Sequence, residues 1–212
     1  MLDLNPERAR IFRIVHVSNV PWILEHGLHC KNSTIQDPNY VNIGNNSLID
    51  KRARRRVPIP PGGTLSDYVP FYFTPHSIML LNIKTGYGGI IRRDNQDIVV
   101  FVSSAHRLRE LSLSFIYTDQ HAYPVDTEFY DGGGELEQID WPLLRRRDFK
   151  TSDADPGKQS RYQAELLVHR HVPLEGIIGI GCYNNTVKCK LDSLIEECKP
   201  EIPVRATPSW FF

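Results

Sequence analysis

Glu165 sits in "SRYQAELLVH" (160–169), where the residues from Ala164 onward otherwise read as the apolar body of a buried strand. An ionised carboxylate in such a setting is costly unless something pairs with it, so the position asks for a structural or a chemical reason. Gln163 precedes it by two residues, which along a strand places both side chains on one face. Arg13 in "IFRIVHV" (11–17) and Tyr72 in "YVPFYFTP" (68–75) repeat the habit of one polar side chain in an apolar run. Each has a bland account. The glutamate belongs to an edge strand and bridges to an arginine, the arginine snorkels, and the tyrosine packs its ring while its hydroxyl finds one partner. Basic clusters add a second theme: "KRARRR" (51–56), "IIRRDN" (90–95) and "LLRRRDF" (143–149) are either solvated faces or a groove for phosphates.

The elements that must position these residues follow from pattern. "IFRIVHV" has the β-branched and aromatic content of a strand, Ser18 is a good N-cap for a helix over "NVPWILEHG", and Gly27 ends that helix. Residues 31–68 carry little periodicity, and a connection of that length inside a compact domain is usually functional, so it is read as a segment covering a ligand. Residues 68–75, 97–104, 113–119, 162–172 and 176–183 are strand candidates, "SIMLLNI" is a short helix or extended segment, and 185–199 is an amphipathic helix with Val187, Leu191, Leu194 and Ile195 at helical spacing. The closing "EIPVRATPSWFF" is a candidate edge strand. Strands outnumber helices without alternating with them, which predicts an α+β fold with a mixed or split sheet. The chain, 212 residues long, is expected to form a single domain over 1–212.

Composition excludes several classes. Twenty-five basic residues balance twenty-five acidic ones, so no global field points to a polyanion. There is no apolar stretch of membrane-spanning length and no signal-peptide core, and the expected location is cytoplasmic. Cys30, Cys182, Cys189 and Cys198 lack C-x-x-C spacing and are read as free thiols, so no metal site is expected. Neither a G-x-G-x-x-G nor a G-K-[ST] stretch is present.

Five stretches in order, "IFRIVHVSNVPWILEHGL", "GGTLSDYVPFYFTPHSIML", "FIYTDQHAY", "QIDW" and "RYQAELLVH", resemble the DarT family of DNA ADP-ribosyltransferase toxins, with the likeness running from about Ile11 to the terminal "WFF". The Arg, Tyr and Glu on three strand elements are also similar to the wider ADP-ribosyltransferase superfamily, and "QAE" matches its Q-x-E pattern. The resemblance implies a split sheet with peripheral helices, NAD+ as co-substrate without a metal, and transfer of ADP-ribose to thymidine in single-stranded DNA. It also implies a cognate DarG-like macrodomain antitoxin as partner.

By the same resemblance, Glu165 and Arg52 are the catalytic candidates. The carboxylate would face an oxocarbenium-like ribose and accept a proton from the attacking base, and the guanidinium would steady the developing anion. Arg13, His16, Asn19, Tyr72 and Met79 are the candidates for holding NAD+. His16 and Asn19 also have a local capping account, and Met79 a core-packing one. His121, Arg54, Arg55 and Arg56 are the candidates for DNA, with Tyr117 and Tyr123 as stacking platforms. Two other readings stay open: the same fold with guanine, RNA, protein or water as acceptor, and a binding module for single-stranded nucleic acid that does no chemistry.

Overall fold

The computed structural model describes residues 3–198 and 202–212, apart from the side chains of Glu197 and Cys198. Its strands are β1 (Arg10–His16), β2 (Leu28–His29), β3 (Tyr68–Tyr72), β4 (Ile98–Ser104), β5 (Phe115–Thr118), β6 (Phe129–Asp131), β7 (Glu165–His169), β8 (His171–Val172), β9 (Gly179–Cys182) and β10 (Val204–Ala206). Its helices are α1 (Val20–His26), α2 (Asn46–Arg52), α3 (Ile78–Thr85), α4 (Ala105–Glu110), α5 (Trp141–Arg146), α6 (Lys158–Arg161) and α7 (Asn185–Cys198). Eight strands form one sheet in the order β10-β9-β4-β1-β3-β7-β5-β6, and β2 pairs with β8 outside it. Only β10 and β9 run parallel, so the sheet is mixed, as the strand-rich pattern predicts.

The sheet is split at its centre. β1 pairs with β4 along its whole length, from Arg10 opposite Ser104 to His16 opposite Ile98. Toward β3 it keeps one register pair, Phe12 opposite Tyr72. Pro70, with no N–H to offer a neighbouring strand, lies where the two strands part, and the Arg13 guanidinium donates to its carbonyl across the gap at 2.9 Å. β4 is buried at all seven positions, as expected of a central strand covered on both faces. The main core gathers Phe12, Val100, Phe101, Leu166 and Leu191, while a second cluster packs Val57, Leu65, Ile116, Ala122, Phe129 and Leu167 beside the β3–β7–β5 half.

Several boundaries differ from the sequence pattern. The expected strand over 162–172 begins only at Glu165. Gln163 lies in the turn after α6, where its amide donates to the Gln159 carbonyl, so strand alternation does not relate it to Glu165. Arg170, at φ 67°, separates β7 from β8. Ser18 does not cap α1: a 3-10 turn over Val17–Asn19 intervenes, and the Ser18 N–H donates to His16 Nδ1. Residues 31–68 are not structureless, since Asn45 caps α2 by accepting from the Leu48 N–H, and "LLRRRDF" begins inside α5. Gly27 does end α1 at φ 76°, where an added Cβ would stand 2.5 Å from the Val172 carbonyl oxygen. Cys30, Cys182 and Cys189 are free thiols, whereas the Cys198 side chain and Lys199 lie outside the described residues.

Candidate active site

Glu165 is the first residue of β7, opposite Tyr72 of β3, and is only 1% exposed. β7 is an inner strand, which removes the edge-strand account. Its carboxylate takes a two-pronged grip from Arg52, with Nη1 donating to Oε1 and Nη2 to Oε2, each at 2.9 Å. The Ala122 N–H donates to Oε1 at 3.0 Å. A carboxylate offers about four lone-pair sites, so these bonds leave one acceptor position on Oε2. The backbone is fixed as well: the Glu165 N–H donates to Thr118 Oγ1 at 3.1 Å, and that hydroxyl donates to the Gln120 carbonyl. Burial pushes the carboxyl upward, but the charge of Arg52 and the hydrogen bonds from Arg52 and the Ala122 N–H outweigh it and hold the group below the usual carboxylate range. Glu165 is therefore ionised at neutral pH.

Bidentate Arg–carboxylate pairing is the strong form of the interaction and fixes both planes. Arg52 closes α2, a helix with no buried residue of its own. Burial lowers the basicity of its guanidinium while Glu165 raises it more, so it remains a cation. His121 Nε2 stands 3.9 Å from Oε1, too far to bond, and its Nδ1 accepts from the Tyr123 N–H. That contact assigns the ring proton to Nε2. Burial depresses the pKa of His121, Glu165 raises it and Arg52 lowers it again, leaving a neutral ring.

These groups face a cleft at the seam. A cavity of about 160 Å³ is lined by Arg13, Arg52, Tyr72, Met79, His121 and Glu165, six candidates drawn from separate parts of the chain. It adjoins a cavity of about 730 Å³ that shares Arg13 and Arg52 and extends past Tyr40 to His29, Lys31 and Trp22. The larger volume is within the range of pockets that enclose whole ligands. The Tyr72 hydroxyl points to Met79 Sδ at 3.7 Å, and burial together with the Glu165 charge keeps that phenol protonated.

His16 and Asn19 are not among the lining residues of either cavity. His16 caps the turn after β1, and Asn19 holds the main chain of Val41 by bonding both its N–H and its carbonyl. Arg54 and Arg56 are exposed, whereas Arg55 is half-buried and donates to the carbonyls of Pro124 and Val125. Tyr117 is only 3% exposed and its hydroxyl is taken by the Glu135 carbonyl, so it cannot serve as a stacking platform; Tyr123 is half-buried. Residue types did not reveal the Ala122 N–H, because a backbone donor leaves no mark on the side chain. Thr118 gave no signal beyond a β-branched residue in a strand. Among the described residues, no group of three or more His, Cys, Asp or Glu could hold a metal ion.

A split sheet with an ionised glutamate and a cation at its seam, on the wall of a ligand-sized cleft, defines an enzyme of the ADP-ribosyltransferase class. The family model described as "ssDNA thymidine ADP-ribosyltransferase, DarT" matches residues 12–212, and the chain belongs to that family. It is 48% identical over 210 residues to a DNA ADP-ribosyl transferase of Escherichia coli O127:H6, covering 99% of this chain and 96% of that one. It superposes on Thermus sp. 2.9 DarT in complex with ADP-ribosylated ssDNA with a TM-score of 0.91 and 30% identity, covering 100% of both chains. The same Thermus protein in complex with NAD+ gives a TM-score of 0.82 at 30% identity, covering 98% of this chain and 99% of that one.

Proposed function

We propose that this protein transfers ADP-ribose from NAD+ to thymidine bases in single-stranded DNA and releases nicotinamide, acting in the cytoplasm as the toxin of a toxin–antitoxin pair. The observation that carries this reading is the ionised Glu165 at the seam, gripped by Arg52, lining the smaller cavity and keeping one acceptor position unused. A single catalytic domain over 1–212 fits a sheet whose strands come from Arg10 through to Ala206.

NAD+ fits along the two joined cavities, with its nicotinamide end in the smaller one beside Tyr72 and Met79 and the remainder in the larger, past Arg13. Asn19 supports this site through Val41, and His16 through the turn that leads into α1. As the bond between nicotinamide and the ribose anomeric carbon breaks, positive charge grows on the sugar, and the fixed Glu165 carboxylate stabilises it while accepting a ribose hydroxyl. A thymine ring nitrogen then forms the new bond to that carbon and gives up its proton, with Glu165 within reach to take it. Arg52 offsets the negative charge that develops on the base. Thymine's reacting nitrogen is hidden in a duplex, which favours a single strand. Arg54 and Arg56 contact phosphates, and His121 with Tyr123 faces the incoming base. The family resemblance assigns the partner antitoxin a macrodomain that removes the modification.

Purified protein incubated with NAD+ and a thymidine-containing oligonucleotide is expected to raise the oligonucleotide mass by one ADP-ribose. Oligonucleotides of varied sequence that all keep their mass, with folded protein, would remove the proposal. Nicotinamide release that is independent of DNA would point to water as acceptor.

A further inference from the structure

Glu165 is gripped from two sides, by Arg52 and by the Ala122 N–H, and both grips come from irregular or weakly packed chain. α2 contributes no buried residue, and Ala122 lies in the turn between β5 and β6. One side chain joins the two segments. Arg55 Nη2 donates to the Pro124 carbonyl at 3.0 Å and approaches that of Val125 at 3.4 Å, and its guanidinium lies 5.6 Å from the centre of the Phe129 ring. Its own backbone is locked as well, since Arg55 N–H donates to the Arg52 carbonyl and Leu65 N–H donates to that of Arg55. On the other side, Thr127 Oγ1 bonds the His121 carbonyl and His121 N–H bonds that of Ser160. The contacts close a ring: Glu165 to Arg52, along the turn to Arg55, across to Pro124, and back through Ala122 to Glu165.

We infer that Arg55 is a positioning residue, a latch that keeps the Arg52 fork and the Ala122–His121 turn converged on Glu165, and not a contact to DNA phosphate. The inference rests on the transferase reading above. Small misplacements of groups around a reacting centre cost large factors in rate, and that is how the latch acts. Val125, at the tip of the latched turn, is 89% exposed, so no other described residue covers that end.

The test compares Arg55→Ala and Arg55→Lys with the wild type on NAD+ and a thymidine-containing oligonucleotide, measuring kcat, oligonucleotide affinity and its salt dependence, and the pH profile of kcat. The latch predicts a fall in kcat of at least about tenfold, with affinity and salt slope close to wild type. Lysine should give no rescue, because an ammonium lacks the planar fork and the face that stacks on Phe129. The acid limb of the profile, set by the Glu165 carboxyl, should move up toward the ordinary carboxylate range as the hold of Arg52 and the Ala122 N–H on it loosens. A salt slope lowered by about one with kcat intact and restored by lysine would make Arg55 a phosphate contact and overturn the inference. If Arg55→Ala does not fold, Phe129→Leu, which removes the ring and keeps every charge, is expected to lower kcat in the same way; an unchanged kcat there overturns it too. Wild-type protein inactive on every oligonucleotide would instead overturn the acceptor assignment.

Discussion

At the scale of single residues, Glu165 and Arg52 are unequal partners. Glu165 cannot reach water without moving the start of an inner strand, whereas Arg52, with its side chain 13% exposed, extends from a surface helix and can swing outward. Removing one member of a buried pair strands the other charge. Arg52→Ala is therefore expected to cost roughly 3 kcal/mol, toward the lower end for broken buried pairs, and Glu165→Ala distinctly less. Denaturant titration of both variants checks the order, and a larger loss in Glu165→Ala contradicts it. The sign of the pH effect follows from the depressed carboxyl: the pair's contribution is complete above the ordinary carboxylate range and is lost as pH falls through the folded value. Catalytically, Glu165→Gln should keep the fold and lower transfer by at least about a hundredfold, the size of effect seen when one electrostatic group leaves a reacting centre. A transfer rate within a few fold of wild type in the oligonucleotide mass assay would deny the carboxylate its role.

At the scale of elements, α2 carries the catalytic arginine yet has no apolar anchor, so polar ties hold it. Asn45 both caps the helix and donates to the Gly88 carbonyl at 3.2 Å. Losing an Asn cap costs about 1 kcal/mol, and Asn45→Ala should let residues 46–52 open locally before the sheet does. Hydrogen exchange over this helix is the measurement, with unchanged protection as the contrary result. Asn19 ties the preceding segment to the end of β1 through Val41. Asn19→Ala should raise the KM for NAD+ several-fold with kcat little changed, as expected when binding geometry loosens away from the reacting atoms. Nicotinamide release at graded NAD+ reads this directly, and a fall in kcat at constant KM would place Asn19 elsewhere in the mechanism.

At the scale of the whole molecule, the histidines act together. His16, His29, His76, His121 and His169 all have a pKa lowered first by burial. The unfolded chain then binds more protons than the folded one as pH drops through the ordinary imidazole value, so stability rises with pH in that window and falls on acidification. The melting temperature should be lower at pH 5 than at pH 7.5, and a flat dependence across that interval would show that the histidines titrate alike in both states. Among the described residues no helix is long and apolar enough to cross a membrane.

Local pattern in the sequence was enough for the strand-rich mixed sheet, the turn at Gly27, the amphipathic α7 and the odd placement of Arg13, Tyr72 and Glu165, because periodicity and the cost of a polar group in an apolar run are properties of neighbours along the chain. It misjudged the start of β7 and overlooked α2, since Gln163 lies in a turn set by α6 and α2 depends on ties to distant residues. The family resemblance singled out Arg52 of "KRARRR" but treated Arg54, Arg55 and Arg56 alike; that Arg52 grips the carboxylate with both prongs, that Arg55 latches a turn and that Arg54 and Arg56 stay in water was decided only in three dimensions. The chemistry of one guanidinium equals that of the next; the strand that parts from β1 at Pro70 and the turn that brings Ala122 to Glu165 are what give each a different field and a different partner.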